Sequence, residues 1–223
     1  MLTSALSLSL QVATLSTLFN LLLAGGLGYL LATRRFAGKA LVESVLTLPM
    51  VLPPTVVGYY LLVLLGRQST FGQWLEHVLG VRLVFSLEGA ILATTVVTFP
   101  LVLKPARAAF ETIDRTLIEA SLTLGLSKGA TFWRVHLPLA WPGILAGLML
   151  AFARAMGEFG ATLMLAGSIE GKTQTLSIAI YEAVQAGDQK AANQLALLTS
   201  LVCVVLLYLA KRVSQPRWQA PHV

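Results

Sequence analysis

Two charged side chains four residues apart interrupt an otherwise apolar stretch, PGILAGLMLAFARAMGEFGATLMLAG: Arg154 and Glu158. On a helix, residues at this spacing share a face and can pair. A charge inside a membrane span costs at least about 2.5–3.5 kcal/mol on insertion scales, so it needs a partner or a watery cavity. Two compatible readings follow: a salt bridge that fixes packing, or a pathway lining in which Arg154 offers a passing contact to an anion. Elsewhere the residue types that chemistry needs do not assemble. The glycines never form GxxxxGK[ST], so no P-loop for ATP is present. His77, His136 and His222 are scattered without metal-ligand spacing and read as solvated or interfacial. Cys203 lies alone in an apolar run, and no Ser–His–Asp set can be argued. No catalytic residue and no metal site are expected, and the chain is not expected to be an enzyme.

The elements that must hold this pair are transmembrane helices. Of 223 residues 56% are hydrophobic and 12% charged, with mean hydropathy +0.77. A soluble domain carries about a quarter charged residues. Apolar runs long enough to cross a bilayer recur, so the fold class is an all-α integral membrane protein in a lipid bilayer. About five spans are expected, near 9–32, 43–65, 84–106, 141–166 and 193–211. The net charge of +6 sits at span ends, which argues against a nucleic-acid partner. Eleven basic residues follow spans one, three and five, against four on the other side. This places the N-terminus outside and the C-terminus in the cytoplasm. Residues 1–10 hold no Lys or Arg, so the first run reads as a retained span rather than a cleavable signal. The stretch 176–187 is too short to cross and contains Glu182, and reads as an outer-surface or re-entrant helix, with a sixth short span as the alternative. Residues 1–40 form the first helix and its turn, 41–213 the core with a polar loop at 109–138, and 214–223 a polar tail.

The loop between spans three and four carries the next signal. Within 111–124, Ile113, Leu117, Ala120 and Leu124 fall on one helical stripe, with Glu111, Arg115 and Glu119 opposite. Ile118 and Leu122 lie towards the charged side, as on a surface that another protein covers. Gly125 is placed to end this helix and Ser127 to cap a second one near Lys128. Pro138 is expected to stop that helix before span four. An amphipathic loop on the lipid surface and a docking surface both fit this pattern.

Span two contains LPMVLPPTVVGYYLL, in which Pro49, Pro53 and Pro54 remove three backbone donors. A break there, with Thr55 and Gly58 beside it, is either a packing kink or part of a pathway. Gly143, Gly147, Ala151 and Ala155 form a small-residue stripe that lets another helix approach, in the same chain or in a second copy.

The loop resembles the "EAA" loop of ABC-importer permeases in Glu119-Ala120-Ser121, Gly125, Phe132, Val135 and Leu137-Pro138, with Ser121 where that pattern has Ala. The stretches at 52–72 and 157–181 are similar to those of the molybdate permeases, and the resemblance covers residues 40–185. Sulfate permeases usually read GEYGSV where this chain has GEFGAT, and Ser168 and Glu170 depart from the commoner AGNIPG. The resemblance implies a type I permease working by alternating access. Glu119, Ala120, Ser121, Gly125, Leu137 and Pro138 would then couple to an ATPase, and Pro53, Pro54, Thr55, Arg154, Glu158 and Thr162 would line the pathway. It also implies a second copy forming a homodimer, two ATP-binding cassette subunits that use ATP and Mg, a periplasmic molybdate-binding protein, and the bacterial cytoplasmic membrane. This chain would bind no cofactor. Sulfate, thiosulfate or tungstate are alternative cargoes. An intramembrane enzyme or channel with a regulatory cytoplasmic loop is the reading from another class.

Overall fold

A computed structural model describes residues 2–214, and among these all regular structure is helical. In chain order the helices are α1 (Leu2–Thr33), α2 (Lys39–Thr47), α3 (Pro54–Leu65), α4 (Thr70–Leu79), α5 (Leu87–Glu111), α6 (Arg115–Thr123), α7 (Lys128–Thr131), α8 (Leu137–Met156), α9 (Gly160–Ala166), α10 (Leu176–Gln185) and α11 (Gln189–Ser214). Residues 215–223, most of the expected tail, lie outside the described part.

The core is a three-helix layer of α1, α5 and α8. Val12 packs with Ala90 and Ile91, Asn20 bonds to Thr95 and Thr98, and Gly28 lies against Ala106. Residue numbers rise together on both helices, so α1 and α5 run parallel. Helix α8 runs antiparallel to α5. A Cβ on Gly143 would stand 2.6 Å from the Ala109 Cβ, and one on Gly147 would stand 3.0 Å from the Leu101 carbonyl oxygen. The stripe Gly143, Gly147, Ala151, Ala155 thus serves close packing within the chain: Gly143 and Gly147 lie on α5, and Ala151 and Ala155 are buried.

Among the described residues three helical segments are long and apolar enough to cross a membrane, and a bent pair makes a fourth if its two helices count as one span. The fifth expected span lies within α11, a helix of 26 residues. The second expected span is not one helix. The segments Lys39–Met50 and Pro54–Leu65 meet at 110°. Proline disfavours helical geometry in the residue before it, and with two in succession Leu52-Pro53-Pro54 does not continue α2. Pro53 is extended, at φ −55° and ψ 136°, and Pro54 opens α3, where its missing N–H costs nothing.

The fourth expected span is shifted and divided. Its helix begins at Lys128, ten residues before Pro138, and runs to Met156. Pro138 does not stop it, because the five-residue π turn Phe132–His136 widens the backbone just ahead of the proline. The far end stops at Gly157, not at residue 166, and α9 forms separately. Helix α5 runs five residues beyond the expected limit of 106, through Pro100 and Pro105. The stretch 176–187 holds α10, whose ten residues are too few to cross. It is fastened to α1 by the Leu176 N–H, which donates to Ser9 Oγ at 2.8 Å. Helix α4 was not anticipated, although Ser69 caps it and Gly80 closes it at φ +65°.

Candidate functional site: two elbows and the helix between them

The first elbow joins α6 to α7. Asp114 caps α6 by accepting the Thr116 N–H at 2.9 Å, and this bond holds its carboxyl below the usual carboxylate range. Gly125 adopts φ +88°, a left-handed geometry that favours glycine. There the Leu126 N–H donates to the Ser121 carbonyl and the Gly125 N–H to that of Leu122, the paired bonds of a Schellman stop. Ser127 then caps α7 through the Ala130 N–H. Ser121 faces inward: its hydroxyl lies 3.1 Å from that of Thr131, and both residues are buried. The Ser in place of Ala therefore ties α6 to α7.

The other side chains of α6, apart from half-buried Ile118, remain uncovered. Glu119 and Ala120 are exposed, as are Leu117, Leu122 and the capping Leu124, which is 83% exposed. The stripe, which could lie against the protein or the membrane interface, is exposed at Leu117, Ala120 and Leu124, and the inward face of α6 centres on Ser121. Leu137 and Phe132 pack against the α1–α5–α8 core, while Pro138 is exposed and Val135 half-buried. Leu137 therefore faces away from the open side that Glu119 presents. Tyr29 of α1 makes edge contacts with Phe110, Phe132 and His136, at centroid distances of 5.2, 4.8 and 5.4 Å. His136, expected to be solvated or interfacial, is buried in this cluster, and its Nδ1 lies 3.4 Å from the Thr131 carbonyl. His77 sits on exposed α4, and His222 lies outside the described residues.

The second elbow joins α8 to α9. The sequence reading paired Arg154 with Glu158 on one continuous helix. The pair exists, with Nη1 2.7 Å from Oε2, but Glu158 lies beyond the end of α8. Its Oε1 accepts the Ala161 N–H at 3.0 Å, so the carboxylate caps α9 while it neutralises Arg154. Glu158 is only 2% exposed. Helix α3 packs on this elbow: a Cβ on Gly160 would stand 3.1 Å from Thr55 N, and one on Gly58 would stand 2.8 Å from Ala161 Cα. The breaks at 51–53 and 157–159 therefore meet. Pro54 and Thr55 lie against Gly160, two residues after Glu158, and Pro53 and Thr55 are exposed.

Thr162 is drawn the other way. Its hydroxyl lies 3.3 Å from that of Thr94, and both are fully buried. From Thr94 a polar ladder runs to Thr98, whose hydroxyl donates to the Thr94 carbonyl at 2.7 Å, and on to Asn20, which donates to Thr98 Oγ1 at 2.8 Å. The ladder links α9, α5 and α1 in a setting where such bonds hold helices together. Sequence reasoning missed Asn20, Thr94 and Thr98. The available signal was polar residues at spacing four in apolar runs.

At the end of the molecule that bears α4, Glu76 is held by Arg67 at 3.1 Å and Arg82 at 2.7 Å. The hydrogen bond from Arg67 is the main reason its carboxyl titrates below the usual range. At the α6 end Arg107 pairs with Glu43 and, at 2.7 Å, with Glu111. This tethers α2 to α5. Among the described residues no group of three or more metal-ligating side chains forms.

Known proteins share both the sequence and this architecture. The chain is 43% identical to the molybdenum transport system permease protein ModB of Haemophilus influenzae, over 95% of this chain and 93% of that protein. It is 41% identical to the Escherichia coli protein of the same name, over 96% and 95%. A sulfate transport system permease protein, CysW of Synechocystis, is 36% identical over 95% of this chain and 76% of that one. Among solved structures, a bacterial ABC transporter that imports alginate superposes with a TM-score of 0.78 at 17% identity, covering 95% of this chain and 78% of that one. The MetNI methionine ABC transporter superposes at 0.73 and 18%, covering 96% and 94%. The model of the binding-protein-dependent transport system inner membrane components matches residues 24–220, and the chain belongs to that family.

Proposed function

We propose that this chain is the membrane-spanning subunit of an importer that moves molybdate into the cytoplasm, driven by a separate ATPase. The observation that carries the reading is full-length similarity above 40% to molybdenum permeases, on a fold whose α6 leaves its outward side chains uncovered. The chain is a transport subunit, not an enzyme: ATP and Mg act in the partner. Two copies would form one pathway about a two-fold axis, with two ATP-binding cassette subunits beneath and a periplasmic molybdate-binding protein above. The setting is the bacterial cytoplasmic membrane, N-terminus outside, with α6 and α7 in the cytoplasm and α4 on the outer side.

The geometry suggests how force would travel. An ATPase would grip α6 through Glu119, Ala120 and the exposed leucines. Ser121 and Thr131 would pass the displacement to α7. From Lys128 the helix is continuous to Met156, about 40 Å at 1.5 Å per residue. Its far end carries Arg154, and Glu158 and α9 follow. Closure of the ATPases would tilt this lever and shift the α3–α9 junction, opening the path outward; hydrolysis would reverse it. Cargo selection would rest mainly with the binding protein.

The test is uptake of radiolabelled molybdate into liposomes holding the chain and its ATPase, with binding protein outside and ATP trapped inside. ATP-dependent uptake that excess sulfate leaves intact supports the reading. Uptake abolished by sulfate moves the cargo to sulfate. No ATP-dependent uptake by an intact complex contradicts the importer assignment.

A further inference from the structure

We propose that Glu158 attenuates Arg154, keeping this cation from trapping the dianion that passes it; the proposal rests on the importer reading above. The two side chains differ sharply in access. That of Arg154 is 38% exposed, that of Glu158 only 1%. Arg154 lies 16 residues beyond Pro138, about 24 Å along α8 and two residues before that helix ends at Met156. A guanidinium there does not face hydrocarbon cheaply, so its open side faces water or protein. Exposed neighbours at the junction are Pro53, Thr55 and Gly157. Guanidinium has five N–H donors in a fixed fork, and Glu158 Oε2 takes up one side of it. The remaining donors suit a tetrahedral oxyanion, which such a fork can grip in a bidentate manner.

Left alone, the cation would form a tight site, and a tight site slows release. Glu158 prevents this because its carboxylate is buried and placed: Oε1 accepts the Ala161 N–H, and Oε2 lies 2.7 Å from Arg154 as an ion pair. A passing dianion therefore meets donors but no net charge.

The experiment uses the assembled complex of this chain with its ATPase and inorganic molybdate as the probe. Glu158→Gln keeps an amide oxygen for the Ala161 N–H and removes the charge. The complex carrying it should hold radiolabelled molybdate at least about tenfold more tightly than wild type, and its uptake should slow several-fold. Arg154→Gln/Glu158→Gln should lose the retention. Retention and uptake at wild-type levels in Glu158→Gln would overturn the proposal, as would retention that persists in the double variant. If the single variant does not assemble, Glu158→Asp decides, because its shorter carboxylate does not reach both Arg154 and the Ala161 N–H: retention above wild type is expected, and retention at the wild-type level overturns the proposal. Absence of ATP-dependent uptake in wild type would instead sink the importer reading itself.

Discussion

At 123–127 and again at 156–160 the chain leaves one helix and enters another, and the two elbows are built from different materials. The first turns on Gly125 at φ +88°, with hydroxyl and backbone caps, and leaves Leu124 83% exposed. The second turns on a carboxylate that is 2% exposed, shared between a guanidinium and the Ala161 N–H. Caps made of backbone and hydroxyl groups work in water and leave outward side chains free for a partner. An ion pair whose carboxylate is buried works only while its arginine is present, because desolvation penalises a buried carboxylate left alone. The surface elbow should therefore tolerate side-chain change and report on docking. The inner elbow should be intolerant and report on stability and passage.

The largest expected effect lies at the inner elbow. Arg154→Ala strands a buried carboxylate and should cost about 3–5 kcal/mol, seen as a lowered unfolding midpoint in detergent. Arg154→Ala/Glu158→Ala should regain much of it. Equal stability of single variant and wild type would erase the contrast between the elbows. Next is the α3–α9 junction, where a Cβ on Gly58 would stand 2.8 Å from Ala161 Cα. Gly58→Val should cost about 1–3 kcal/mol through overpacking, read by the same melt.

At the surface elbow effects on stability shrink. Gly125→Ala forces a left-handed alanine, a cost of about 1–2 kcal/mol, and should show as lost coupling of ATP hydrolysis to uptake in a complex that still assembles. Smaller still is the outer triad of Arg67, Glu76 and Arg82. The folded Glu76 carboxyl titrates below its ordinary value, so its contribution is present above that value and is lost as pH falls through the lower, folded one. A pH titration of thermal stability should be flat through neutrality. Any loosening of α4 should appear only in acid, and less so in Glu76→Gln.

The surface elbow was the more legible of the two. The Gly125 stop and the Ser127 cap are local backbone decisions, and residue type announces them. So was the break at Pro53-Pro54, though not its 110° angle, which depends on how α3 seats against Gly160 and Ala161. The inner elbow was half legible. Spacing paired Arg154 with Glu158 but drew one helix through both, because helix periodicity does not register a carboxylate that prefers an N–H beyond the helix end. Pro138 misled for the opposite reason: a π turn absorbed a residue that propensity treats as a stop. The inward turn of Ser121 and His136 depends on Thr131 and Tyr29, partners that spacing alone does not reveal.

The central claim is that α6 is the face through which a separate ATPase drives this chain. The most direct measurement is co-purification of the partner ATPase with the tagged chain from membranes, comparing wild type with Glu119→Lys. Glu119 is exposed, so the variant should fold and insert as wild type does. The account predicts retention of the ATPase by wild type and its loss, several-fold or more, with Glu119→Lys. Undiminished ATPase on a properly inserted Glu119→Lys chain would contradict it.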